Sequence, residues 1–135
     1  MRASGTFTVQ SFVPAGIKAD PAVTTALPVS VATMEKRFEG EIAGRAATVF
    51  TSAYDQEAGV GTYVAMESFE GSVGGRSGAF NFVHSASTTG SDRSAELLRI
   101  VPASGTGELA GITGTGGIAV EADGTHRIWL DYELG

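Results

Sequence analysis

Apolar and polar residues alternate along most of this chain, with glycine marking the breaks. Phe7, Val9, Ser11 and Val13 alternate with Thr6, Thr8, Gln10 and Phe12, and a second run leads from Val29, Val31 and Thr33 into Met34 to Phe38. Similar runs recur at 41–54, 60–70, 78–88, 95–101, 117–121 and 125–134. A two-residue period sends successive side chains to opposite faces of a strand. The pattern therefore predicts eight strands and an all-β chain.

The breaks predict how the strands connect. Residues 14–28 hold three of the four prolines and read as a long loop, and 102–114 is a second irregular, glycine-rich stretch. Asp123-Gly124 between two strand-like runs favours a hairpin with a type I′ turn. Phe38-Glu39-Gly40-Glu41-Ile42-Ala43-Gly44-Arg45 recurs as Phe69-Glu70-Gly71-Ser72-Val73-Gly74-Gly75-Arg76, which suggests two equivalent hairpins. With Gly74-Gly75 as a two-residue loop, Phe69 faces Phe80, Glu67 faces Phe82 and Ala65 faces His84. With Ala43-Gly44 in the same role, Phe38 faces Val49 and Lys36 faces Thr51. A one-residue slip would reverse every face.

Composition narrows the class. One hundred and thirty-five residues without a linker or charge block predict one domain, 1–135. The formal charge of −6 argues against nucleic acid, whose recognition begins with a basic face. No window approaches the roughly 20 apolar residues of a membrane helix. The opening residues have no apolar signal region, so a cytoplasmic location is expected. With no cysteine there is no thiol nucleophile, and two histidines give no zinc pattern, so neither metal nor cofactor is expected. Gly75-Arg76-Ser77-Gly78 lacks the spacing of a nucleophile elbow, and 105–117 lacks the Gly-Lys-Ser/Thr of a phosphate loop.

Eight antiparallel strands must hide their edges, and closure does so completely. A single eight-stranded antiparallel β-barrel is preferred over a two-sheet sandwich because the hairpins follow closely. A barrel of that size holds side chains or one small ligand. The stretch Gly105-Thr106-Gly107-Glu108-Leu109-Ala110-Gly111-Ile112-Thr113-Gly114 resembles the Gly-Thr-Gly-x-Phe-x-Gly-Ala-x-Gly signature of allene oxide cyclase and dirigent-type barrels, with Leu109 and Ile112 replacing the Phe and Ala. Over nearly the whole chain the sequence is similar to a bacterial family of uncharacterised proteins with an allene oxide cyclase-like barrel. That likeness is carried by Gly5-Thr6-Phe7, Tyr63, Met66-Glu67-Ser68-Phe69, Gly71, Gly75-Arg76-Ser77-Gly78, residues 104–109 and Leu130-Asp131-Tyr132-Glu133-Leu134. The resemblance implies the barrel and brings no established reaction. The cyclases close a ring in a reactive fatty-acid epoxide, and dirigent proteins steer phenolic intermediates, but fold alone transfers neither substrate.

Phe38, Phe69, Phe80 and Phe82 mark one face of the repeated hairpins, and Glu35, Arg37, Glu39, Ser68 and Glu70 the other. The phenylalanine face is expected inside, and with it come Lys36, Glu67, His84 and Tyr63, with Tyr132 on the inner face of the last strand. A buried, unpaired charge costs on the order of several kcal/mol, so such a cluster is paired, wet or occupied. One reading makes Glu67 and His84 a proton-handling, catalytic pair in an apolar ligand pocket, with Lys36 holding an anionic end. The plainer reading puts Lys36 and Glu67 at a barrel mouth in water, with His84 simply hydrogen-bonded. In the pocket reading, Glu67→Gln leaves stability unchanged or raised. Trp129, Val64 and Met66 are expected outside, Trp129 either at a subunit contact or packed under the 14–28 loop, and an apolar outer wall suggests a homo-oligomer. Two functions follow: a barrel binding a lipid-like or aromatic molecule, with isomerase or cyclase activity by positioning, and a filled barrel serving as an interaction module.

Overall fold

A computed structural model describes residues 1–135. It contains β1 (Arg2–Pro14), β2 (Val29–Gly40), β3 (Ile42–Asp55), β4 (Val60–Val73), β5 (Arg76–Thr89), β6 (Asp92–Ile100), β7 (Thr113–Val120) and β8 (His126–Glu133), with one 3-10 turn at Gly107–Leu109. Each strand pairs antiparallel with the next and β8 pairs with β1, so one sheet closes in a ring. No helix is long and apolar enough to cross a membrane.

Odd-to-even connections lie at one end of the ring, here called the mouth. Even-to-odd connections and both termini lie at the other, the base. The base is filled. Phe7, Phe38, Phe69, Phe80, Phe82 and Tyr132 belong to a continuous cluster of 17 buried apolar residues, joined from below by Leu109 and Ile112. Residues 101–109 also cover the edge of β5 that β6 leaves unpaired: the backbone N–H groups of Ser77, Ala79 and Asn81 donate to Glu108, Thr106 and Ser104 side chains. A buried sheet edge needs such partners.

The register between β4 and β5 is the one expected from Gly74-Gly75, with Phe69 opposite Phe80 and Ala65 opposite His84. The register between β2 and β3 is not the expected one. Phe38 faces Gly44 and Lys36 faces Ala46, so the turn occupies 39–43 and the repeat does not form two equivalent hairpins. The cause is tertiary: Glu41 N–H donates to Ser4 O, and Glu41 O accepts from Gly74 N–H, which pins the chain reversal at Glu41. The five-residue error is odd, so it exchanges the faces of β3 and brings Thr48 and Phe50 inside.

The β7–β8 turn is also not type I′. Glu121 N–H bonds Thr125 O and Gly124 N–H bonds Glu121 O, with only Gly124 at positive φ (+89°). That is the three-residue loop ending in a left-handed glycine. Two bulges shift parity elsewhere. One falls between Val9 and Ser11 and turns Phe12, rather than Val13, toward Phe50, at 5.8 Å between ring centroids. The other, at Ala95 (φ +52°), lies where β6 meets β5.

The seam between β6 and β7 is thin, with a single paired position, Arg99 with Thr115. Toward the mouth, side chains replace the ladder. Arg93 donates to Ile118 O, and Ile118 N–H donates to the Glu96 carboxylate at 3.4 Å.

Candidate functional site

One inward step toward the mouth from the phenylalanine layer, the inner face changes from apolar to ionisable. On β2 Phe38 gives way to Lys36, on β3 Ala46 to Thr48, on β4 Phe69 to Glu67, and on β5 Phe82 to His84. All four are buried, Glu67 completely (0% exposed) and Lys36 at 5%. The pleat fixes which residues reach this layer, because two positions along a strand return a side chain to the same face.

The layer is internally matched. Lys36 Nζ donates to Glu67 Oε2 at 2.9 Å, and Thr48 Oγ1 donates to Glu67 Oε1 at 3.0 Å. The Lys36 ammonium also lies 4.9 Å from the centroid of the Phe7 ring. The expected direct pairing of Glu67 with His84 is replaced by these bonds. His84 turns instead to Glu96, with Nε2 2.9 Å from Oε2, and Arg93 pairs with the same carboxylate oxygen at 3.1 Å. No fully enclosed side-chain nitrogen or oxygen is left without a partner.

Burial pushes the His84 imidazolium below its ordinary pKa, against the opposing pull of Glu96 and with help from the charges of Lys36 and Arg93. A neutral imidazole facing a carboxylate must donate from Nε2, which leaves Nδ1 as an acceptor. Burial likewise raises the Tyr63 hydroxyl, keeping it a phenol.

Above the layer the ring is open. Lys36, Ala65 and His84 sit at the foot of a recess of about 170 Å³, walled among others by Phe7, Met34, Phe50, Tyr63 and Val120. Tyr63 stacks on Phe50 (5.3 Å, 22°) and tilts toward His84 at 5.5 Å. The recess shares Phe50 and Tyr63 with a hollow of about 490 Å³ beside Phe12, Val31 and Tyr54, and Tyr63, Arg93 and Val120 with another of about 560 Å³ beside Glu96. A larger hollow of about 830 Å³ lies among Arg37, Glu39, Arg45 and Glu70 on the outer wall, apart from this layer.

Of the side chains expected at a ligand, Lys36, Tyr63 and His84 line the recess. Glu67 lies beneath it, wholly enclosed. Phe38, Phe69, Phe80, Phe82 and Tyr132 do not line it, because they pack the closed base. Thr48, Phe50, Arg93 and Glu96 were not expected. Thr48 and Phe50 were hidden by the β2–β3 turn, whereas strict alternation back from Ile100 and Leu98 does reach Glu96. No group of three or more His, Asp or Glu side chains comes together as metal ligands.

The chain belongs to a family described as protein of unknown function (DUF3224), whose model matches residues 3–132. Among solved structures it is similar to a protein with unknown function from the DUF3224 family of Shewanella oneidensis MR-1. The two share 30% sequence identity over 100% of this chain and 98% of that one, with a TM-score of 0.83. No curated protein matches the chain.

Proposed function

We propose that this DUF3224 chain is an allene oxide cyclase-like β-barrel that binds one lipid-like or aromatic small molecule in its mouth. The observation that carries the reading is the open, aromatic-walled recess of about 170 Å³ ending on buried Lys36 and His84. Concave, mostly apolar hollows with a few convergent polar groups and a shifted titratable group are the usual form of a ligand site. The enzymatic extension is an isomerase or cyclase that works by holding a reactive substrate in one shape, with His84 and Glu67 setting the charge around it. A cytoplasmic location belongs to the same reading.

The test is fluorescence titration with the uncharged apolar probe N-phenyl-1-naphthylamine, on the wild-type chain and on Ala65→Phe. Ala65 is 2% exposed and lines the foot of the recess, so a phenyl ring there fills it. Saturable enhancement in the wild type and its loss in the variant support the reading. Equal signals in both, or none in either, oppose it.

A second reading, an association module, is favoured by the outer wall. Val49, Val64 and Met66 are each about half exposed on the adjacent strands β3 and β4, and such a patch suits a homo-oligomer contact. Sedimentation velocity of the wild type against Met66→Lys tests it: an oligomer that the lysine dissociates supports this reading, and a monomer in both removes it.

A further inference from the structure

We infer that the ligand of the recess is an uncharged, single-ring molecule whose buried end both accepts and donates a hydrogen bond, as a carboxamide or lactam does. This rests on the binding reading above and names the chemistry that reading leaves open.

Size comes first. An apolar cavity of about 150 Å³ takes up benzene, and the deep recess measures about 170 Å³. One six-membered ring fits below the wider hollows. Phe7, Phe50 and Tyr63 supply its aromatic walls from three different strands.

Charge comes second. Each cation beside the recess already has its anion: Lys36 is held by Glu67, and Arg93 by Glu96. His84 is neutral, its protonated form disfavoured by burial. The groups at the foot of the recess thus sum to zero, and His126, also on its wall, packs on the Phe7 ring at 5.0 Å; an anionic head would reach no lysine or arginine there without a carboxylate already beside it. The expectation that Lys36 holds a carboxylate is revised by this pairing.

Hydrogen-bond capacity comes third. An ammonium has three N–H donors. In Lys36 one goes to Glu67 and the ring of Phe7 lies beside the group, which leaves a donor for an incoming oxygen. His84 commits Nε2–H to Glu96, and its Nδ1 has no protein partner, which leaves an acceptor. A carboxylate offers nothing to that nitrogen, whereas a primary amide satisfies both ends.

Benzamide and benzoate have nearly the same shape and separate the alternatives. Saturation-transfer NMR on the full chain at pH 7.5 would measure both, with ethylbenzene as a ring lacking polar atoms and Ala65→Phe as the blocked control. Benzamide is expected to bind at least tenfold more tightly than benzoate and more tightly than ethylbenzene, with His84→Phe abolishing its advantage over ethylbenzene. Benzoate binding as well as or better than benzamide, while still blocked by Ala65→Phe, overturns this inference and leaves the binding reading standing. So does ethylbenzene matching benzamide. No binding of any probe, or binding unaffected by Ala65→Phe, removes both.

Discussion

Glu67→Gln is the substitution that most directly tests whether the buried layer is held together as described. Glu67 is wholly enclosed and serves two donors, Lys36 at 2.9 Å and Thr48 at 3.0 Å. Removing its charge leaves the Lys36 ammonium, itself 5% exposed, without an anion. Breaking one side of a buried ion pair typically costs about 3–5 kcal/mol. The amide keeps one acceptor oxygen, so the lower end, about 3 kcal/mol, is expected. Unfolding entropy near 60 °C is about 2.1 cal/mol/K per residue, roughly 0.28 kcal/mol/K for this chain, so Tm falls by about 10 °C. The sequence-based pocket reading, which sets Glu67 beside His84 rather than Lys36, expects stability unchanged or raised instead; the Lys36 and Thr48 bonds make Glu67 a structural partner.

Differential scanning calorimetry measures the shift, and a second variant guards the interpretation. Lys36→Met combined with Glu67→Gln removes both charges while Thr48 still has an oxygen to bond. Most of the loss should then return, leaving Tm within about 4 °C of wild type, because an uncharged pair no longer pays the desolvation of an orphaned ion. A Glu67→Gln protein melting at or above the wild type would refute the pairing argument. So would a double variant as unstable as the two single losses added together.

Three further outcomes follow from the same geometry. His84 has a folded-state pKa below its ordinary value of about 6.5, so the unfolded chain binds the proton first as pH falls. Stability is therefore full above about pH 6.5 and declines as pH drops toward the folded value; urea unfolding from pH 8 to 5 should show this slope and His84→Phe should flatten it, an unchanged slope counting against the assignment. Glu96→Ala removes the acceptor of Ile118 N–H at the thin β6–β7 seam and is expected to cost about 1–2 kcal/mol, with faster amide exchange confined at first to 117–120. Gly71→Ala would place a Cβ 2.0 Å from Ala43 O and 2.8 Å from Gly44 Cα, both backbone. It should destabilise by roughly 3 kcal/mol, against about 1 kcal/mol for Gly90→Ala, where nothing lies within 4 Å; comparable losses would show that β3 and β4 do not approach this closely.

What the sequence made legible was the parity of each strand where the turn is local. Gly74-Gly75 closes a two-residue hairpin, and from it the pairing of β4 with β5 and the inward placing of Glu67, His84 and Phe82 follow directly. Parity failed where a distant contact decides the turn. Glu41 reverses the chain because Ser4 and Gly74 bond its backbone, at separations of 37 and 33 residues, and neither bond leaves a mark on residues 38–45. The bulge at Ala95 is equally silent, since it answers to how β6 meets β5.

The same division explains the site. Alternation identifies ionisable residues on an inner face, but their partners depend on how the ring closes. Lys36 and Glu67 lie on β2 and β4, which do not pair with each other, and β3 between them contributes the small Ala46 opposite Lys36 and Thr48 opposite Glu67. Their bond therefore depends on the β2–β3 and β3–β4 registers together, and a one-residue slip in either would turn one of the two charges outward. Glu67 and His84, diagonal neighbours across one hairpin, look like the natural pair from local spacing. Lys36 and Glu96, brought in from β2 and β6, take those carboxylate and imidazole bonds instead. Burial then gives the arrangement its chemistry: the nearer charges are matched, and the imidazole nitrogen that does not bond Glu96 is an acceptor.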